Sequence, residues 1–229
     1  MVAFGYDYKS NTYKVLASSG SLFEVYSLGL KSWRSIENVP YKFFLLNKPS
    51  GKLVNGNLHW LARKKDYSDV LVSLDISNEI FKEIEPPKET YGSFYNLGTL
   101  EGCLCLLSFD DDDGLNIWVM QNYGVQESWT KRFIMKHKQI VDDGNLRYML
   151  WPFKSGEILF GSVTIGTAGL VVYDPEYESV KEPNISSLLS HQQELYFESL
   201  VSLKSSTYVG EKKKRRNKKK MRNRMEKNI

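Results

Sequence analysis

The feature that most restricts this chain is a strand–turn–strand unit that returns at a nearly constant interval. The residues opening the second strand of each unit are Trp33, Phe81, Trp129 and Val180, spaced 48, 48 and 51 apart. Tyr26, Leu74 and Tyr173 each stand seven residues before their partner. In the third unit Trp118 takes that place eleven before Trp129, which predicts a loop four residues longer, Gln121–Gln126, reaching toward a rim. Turn glycines recur as well, at Gly56, Gly102 and Gly156, 46 and 54 apart. A short unit of this kind cannot bury both faces by itself, so the units must stack against one another.

The third unit, Leu115 to Met135, reads LNIWVMQNYGVQESWTKRFIM. Leu115, Ile117 and Val119 fall on one face of a predicted strand, and Trp118 and Met120 on the other, the pattern of a strand covered on both sides. Gln121-Asn122-Tyr123-Gly124 supplies turn chemistry before a second strand begins at Trp129. The other units follow the same plan. Residues 4–16 predict two strands around a Lys-Ser-Asn turn, and Phe23–Leu28 returns through Ser32–Ile36. An apolar stretch follows at Phe43–Leu46, and Asn55-Gly56-Asn57 marks a tight hairpin turn. Val70–Asp75 pairs with Glu79–Ile84, and Leu170–Pro175 with Tyr177–Val180. Helical periodicity is weak before Ser186; a short helix is expected at Ile185–Leu195 and a last strand at Tyr196–Leu203.

A period near fifty with about four short strands per unit predicts an all-β, kelch-like β-propeller, its blade count and closure left open. An ordinary β-sandwich is the alternative that short strands alone do not exclude. The recurring Trp33, Trp129, Tyr26 and Trp118 are then expected to be core or inter-blade packing residues. The domain is expected over residues 1–205, with 206–229 as a disordered polybasic tail.

Charge divides the chain in the same place. The net charge is +4, yet residues 211–229 carry eleven Lys/Arg against two Glu, which leaves residues 1–210 at −5. The body therefore has no electrostatic case for nucleic acid, and only the tail does. Lys212, Lys213, Lys214, Arg215, Arg216, Lys218, Lys219 and Lys220 are the candidate nuclear-localisation or polyanion-contact residues. No apolar run is long enough to span a bilayer, and Met1–Tyr6 lacks the features of a signal peptide. Cys103 and Cys105 would lie about 7 Å apart along one strand, too far for a comfortable disulfide, so a reducing cytoplasmic or nuclear compartment is expected.

Chemistry-bearing motifs are scarce. Asp110–Asp113 followed by Gly114 lacks the ligand spacing of a calcium loop and reads as a solvated connection. His59, His137 and His191 stand far apart and outside any metal-ligand spacing, and His59 reads as a strand residue. Cys103 and Cys105 lack a second pair for zinc. No phosphate loop, nucleophile elbow or zinc-protease helix occurs. No catalytic, cofactor-binding or metal residue is assigned, and the chain is expected not to be an enzyme. Binding is expected from loops at one end of the sheets, Arg63–Asp69, Phe109–Gly114 and Ile140–Arg147.

Several of these stretches resemble the F-box-associated interaction domain of the large plant F-box/kelch-repeat protein family. They are FGYDYKSNTYKVL, VYSLGLKSWRSI, VNGNLHWLA, LVSLDISNEIFKEIEPP, GCLCLL, IWVMQNYGVQESWTKRFIM, LVVYDPEYESVKE and FESLVSLKS, in family order from Phe4 to about Ser205. The resemblance implies the substrate-recognition part of an SCF-type ubiquitin ligase, with a target protein as partner. The Leu-Pro-rich F-box is not found, and Met1-Val-Ala leads straight into the matching segment. Contact with the Skp adaptor and cullin is therefore expected only if an F-box is supplied upstream. A stand-alone propeller scaffold and a nucleic-acid binder acting through the tail are the alternatives.

Overall fold

Four antiparallel meanders follow one another along the chain, each built by short turns between neighbouring strands. In this computed structural model the described residues are 2–19, 22–43, 51–90, 94–110, 114–135, 146–153, 155–164 and 167–181. All of them belong to one compact unit, Met1–Leu195. The expected strand at Tyr196–Leu203, the helix at Ile185–Leu195, His137, His191, residues 44–46 and the basic tail lie outside the described residues.

The first blade is β1 (Val2–Asp7), β2 (Thr12–Ser19), β3 (Leu22–Ser27) and β4 (Ser32–Ile36). In the second, β5 (Lys42–Phe43) and β6 (Lys52–Val54) both pair with β7 (Asn57–Arg63), which is followed by β8 (Asp69–Asp75) and β9 (Ile80–Ile84). The third is β10 (Phe94–Leu100), β11 (Cys103–Asp110), β12 (Gly114–Met120) and β13 (Trp129–Met135). The fourth is β14 (Leu146–Pro152), β15 (Ile158–Thr164), β16 (Thr167–Asp174) and β17 (Ser179–Lys181). This is the repeated four-stranded plan of a β-propeller.

The turns explain why the strands begin and end where they do. Asn55-Gly56 and Glu101-Gly102 each place both central residues at positive φ, 49° and 73° in one case and 51° and 79° in the other. A two-residue type I′ hairpin requires that conformation, and glycine adopts it without strain. A second turn recurs four times: Asp7 faces Thr12, Ser27 faces Ser32, Asp75 faces Ile80 and Asp174 faces Ser179. Each encloses four residues, the last left-handed, at Asn11, Lys31, Glu79 and Glu178. The residue before the turn caps it: Asp75 Oδ1 accepts from Ser77 N and Asn78 N, both at 2.9 Å, and Asp7 and Asp174 act alike. These are Asx-type caps, which satisfy turn amides that no strand reaches.

Each blade packs against the next through an apolar layer. Leu16, Phe23 and Val25 of the first blade meet Leu58, Trp60, Val72 and Leu74 of the second. Leu61 and Leu71 of the second meet Leu104, Leu106, Trp118, Met120 and Trp129 of the third. Leu107, Leu115, Ile117 and Val119 of the third meet Ile158, Phe160 and Tyr173 of the fourth. The alternation expected along β12 is therefore real, and the strand is buried on both faces. Gly5 admits the closest approach in the first layer, since a Cβ there would sit 2.3 Å from Ile76 Cδ1.

A buried polar cluster ties the first two blades together at their turns. Lys14 Nζ lies 2.9 Å from Asp7 Oδ2 and 2.7 Å from Glu79 Oε1, and donates to Ile76 O at 2.9 Å. Ser10 and Ser77 hydroxyls donate to Asp7, and Arg34 pairs with the second oxygen of Glu79.

Two sequence expectations change. Trp33 is not a buried anchor: it is 53% exposed, because β4 is the outermost strand of its blade and its ring stands on the face turned away from the second blade. Its ring packs on Tyr26, with ring centroids 5.2 Å apart. The partner of Trp129 is Met120, not Trp118, which faces Lys131. The strands run on to Met120 and Trp129 before the chain turns, and the connection, residues 121–128, is four residues longer than the four-residue capped turns, as its spacing predicts. Tyr26–Trp33, Leu74–Phe81 and Tyr173–Val180 do pair as their spacing predicts.

A candidate recognition rim

In an up-and-down blade, the turns after the first and third strands lie at one end and the turn after the second lies at the other. The type I′ and capped turns occupy the first end. Of the expected binding loops, Arg63–Asp69 joins β7 to β8 and Phe109–Gly114 joins β11 to β12, which puts both at the second end. Residues 111–113 of the latter and 140–145 of Ile140–Arg147 lie outside the described residues, as do Lys212 to Lys220.

The β7–β8 turn is held by its own polar groups. Arg63 and Asp69 face each other across the ladder, with Nε 2.6 Å and Nη2 3.0 Å from the two carboxylate oxygens. Lys64 N donates to Ser68 O at 2.9 Å and Tyr67 N to Lys64 O at 3.1 Å. Asp66 Oδ1 accepts from Ser68 N and Ser68 Oγ at 3.0 and 2.6 Å, and these bonds lower its pKa. The result is a closed turn that holds Tyr67 at φ 68°, with 80% of the residue in solvent.

Beneath the turn is an open recess lined by Pro40, Tyr41, Lys64, Lys65, Asp66 and Glu83. Glu83 organises it, accepting the Tyr41 hydroxyl at 3.2 Å on Oε1 and pairing Lys64 Nζ at 2.8 Å on Oε2. Burial, with the neighbouring Glu83 charge, pushes the Tyr41 phenol up, and Glu83 also raises the Lys64 pKa. Among the described residues, no group of three or more His, Cys, Asp or Glu is placed to hold a metal. The surface thus presents one exposed aromatic side chain, Tyr67, on the turn above a polar recess.

The stretch around Tyr123 does something else. The long β12–β13 connection does not project as a binding loop; it clasps the second blade. Gln126 Nε2 donates to Pro86 O at 2.9 Å, and Trp129 Nε1 to Glu85 O at 2.9 Å. Tyr123 reaches back to the wholly buried His59, its hydroxyl 2.8 Å from Nε2, while Asn57 Nδ2 donates to the same hydroxyl at 3.0 Å. His59 Nδ1 lies 2.9 Å from Lys52 O, an acceptor only, so Nδ1 carries the proton and Nε2 accepts from Tyr123. Burial lowers the His59 pKa and keeps the ring neutral. His59 is thus a strand residue with both nitrogens satisfied. Cys105 is fully buried and Cys103 half-buried, both as free thiols; burial raises the Cys105 pKa.

Tyr123→Phe is expected to lower unfolding stability by about 1–3 kcal/mol, because His59 and Asn57 are left with buried polar atoms unpaired. Urea unfolding followed by tryptophan fluorescence measures it; an unchanged midpoint would refute the clasp.

A family model described as the F-box associated beta propeller domain matches residues 1–212. The F-box protein At3g07870 of Arabidopsis thaliana is 34% identical over 192 residues, covering 74% of this chain and 43% of that protein. The F-box protein CPR1 of the same plant is 27% identical over 229 residues, covering 86% of this chain and 55% of that protein. The F-box/kelch-repeat protein At3g23880, also from Arabidopsis, is 34% identical over 137 residues, 56% of this chain and 38% of that protein. The chain thus spans about half the length, or less, of these curated relatives.

Proposed function

The chain belongs to the F-box-associated β-propeller family, and from that premise we propose that it is the target-recognition part of an F-box protein, holding a substrate protein for an SCF-type ubiquitin ligase. In this reading it binds and does no chemistry. Ubiquitin transfer belongs to the remainder of the ligase, and contact with the Skp adaptor and cullin belongs to an F-box, to which no residue of this chain is assigned. Such a module works in the cytoplasm or the nucleus, and the basic run Lys212–Lys220 would serve nuclear import. The observation that carries the reading is the β7–β8 turn: a self-held loop on a rigid blade that displays Tyr67 beside an organised recess. Rigid scaffolds with exposed aromatic anchors on loops are the usual form of a protein-recognition surface.

The test compares proteins retained from Arabidopsis extract by the wild-type chain, by Tyr67→Ala and by Tyr8→Ala, a control at the opposite end of a blade. The expected result is a target depleted at least tenfold by Tyr67→Ala, kept by Tyr8→Ala, and ubiquitinated faster when the chain is joined to an F-box. A target retained equally by both variants would remove the rim assignment.

A further inference from the structure

We infer that the buried contact between His59 and Tyr123 is a proton-sensitive latch. It holds the long β12–β13 connection to the second blade while the imidazole is neutral, and releases it when the ring takes a proton. The contact is built for the neutral ring alone. Nδ1–H is spent on Lys52 O at 2.9 Å, so Nε2 must accept, and the Tyr123 hydroxyl donates to it at 2.8 Å. A second proton on the ring arrives on Nε2, donor against donor. Asn57 Nδ2, 3.0 Å from the same hydroxyl, is a further donor and offers no acceptor in exchange. His59 is wholly buried, so solvent does not reach the ring while the contact is closed.

The surrounding charges do not offset an imidazolium. The register sets Lys52, His59, Ser73 and Lys82 in one row across β6 to β9, so a lysine stands on each flank. Two carboxylates of β8 share that face, and both are engaged. Asp75 accepts from Ser77 N, Asn78 N and Asn78 Nδ2, and Asp69 pairs with Arg63. The third blade contributes Tyr123 and Lys131, whose ammonium lies 5.2 Å from the centre of the Trp118 ring. Burial lowers the His59 pKa, and the backbone of Lys52 and Asn57 offsets this only in part. Once the contact opens to water, the imidazole takes a proton near its ordinary value of about 6.5. The closed form holds its proton less tightly than the open one, so the latch is fully closed above that pH and loses hold as the pH falls. For a ring protonated only when open, the open share rises roughly tenfold from pH 7.5 to 5.5. Gln126 and Trp129 keep their bonds to Pro86 and Glu85, so the release frees Tyr123 and its turn, not the whole blade. The inference does not rest on the target-binding reading. Where both hold, the latch slackens one end of β7, whose other end carries the recognition turn.

Hydrogen exchange resolved to single amides, on the full 229-residue chain at pH 7.5 and 5.5, tests it. The amides of Gln121, Val125 and Ser128 are each bonded within the connection. Corrected for the intrinsic rate, their protection is expected to fall about tenfold at the lower pH, while β2 in the first blade keeps its own. In His59→Gln, whose amide both donates and accepts but takes no proton, protection is expected to be equal at the two pH values. Should that variant fail to fold, the imidazole resonances of the wild type decide, and the closed ring is expected to keep its neutral Nδ1–H form at pH 5.5. A ring that titrates near its ordinary value with the connection still protected overturns the proposal. So does protection that is unchanged with pH in the wild type, or an equal loss in His59→Gln.

Discussion

Trp129→Ala is expected to destabilise the domain by about 3–5 kcal/mol, the range for removing a large buried aromatic side chain. Trp129 lies where two blades meet, 7% exposed among Leu61, Leu71, Leu104, Leu106 and Met120. Truncation would open a cavity that the surrounding strands, each fixed in a ladder, cannot collapse to fill. It would also remove the hydrogen bond that the indole N–H donates to Glu85 O across the interface. Trp33→Ala provides the contrast. Both tryptophans open the fourth strand of their blade, but Trp33 is half exposed, and its loss is expected to cost no more than about 1 kcal/mol. Guanidinium unfolding of the two variants measures the difference; equal losses would mean that the blade position, and not the covering layer, sets the energy.

That contrast shows how much of the fold could be read from the chain. The period was legible because the turns repeat chemically: Asn-Gly and Glu-Gly at the type I′ turns, and the 7-residue spacing that matches Tyr26 to Trp33 and Leu74 to Phe81. Alternation along β12 was legible for the same local reason. Burial of an individual residue was not, because it depends on which blade has a neighbour on that side, and Trp33 and Trp129 look alike in sequence. The partner of Trp118 was not legible either, because β12 continues two residues further, to Met120, before the chain turns. The capped turns carried an overlooked signal, an Asp or Ser four residues before a left-handed position, at Asp7, Ser27, Asp75 and Asp174. The rim was legible as a loop, Arg63–Asp69, but the recess below it needs Tyr41 and Glu83, distant in sequence and joined only by folding. The signature stretch around Tyr123 attracted attention as a loop and proves to be a clasp, made with residues 64 and 66 positions away.

The second large effect is expected at Lys14. Lys14→Met should destabilise the domain by about 3–5 kcal/mol, since breaking a buried ion pair from one side leaves the buried Asp7 charge without its counter-ion and Glu79 with Arg34 alone. The Lys14, Asp7 and Glu79 side chains are 9, 3 and 4% exposed, so water cannot take the place of the lost ammonium. The cluster joins two capped turns from different blades, and its loss should loosen the first blade before the third. The acid limb gives an independent check. Burial pushes the Asp7 carboxyl up, but hydrogen bonds from Ser10, Ser77 and Lys14 outweigh it and hold the group well below the usual carboxylate range. A folded pKa below the unfolded value, about 3.9, means that Asp7 stabilises the fold fully above that pH. The contribution then disappears as the pH falls from about 4 toward the folded pKa, where the unfolded chain binds the proton first. Lys14→Met removes one of the bonds that depress this pKa, so its stability should decline less steeply below pH 4 than that of the wild type. Hydrogen exchange resolved by strand, together with denaturation midpoints between pH 2 and 7, measures both effects. Parallel acid limbs in the two proteins would show that Lys14 fills space in this cluster without holding the Asp7 charge.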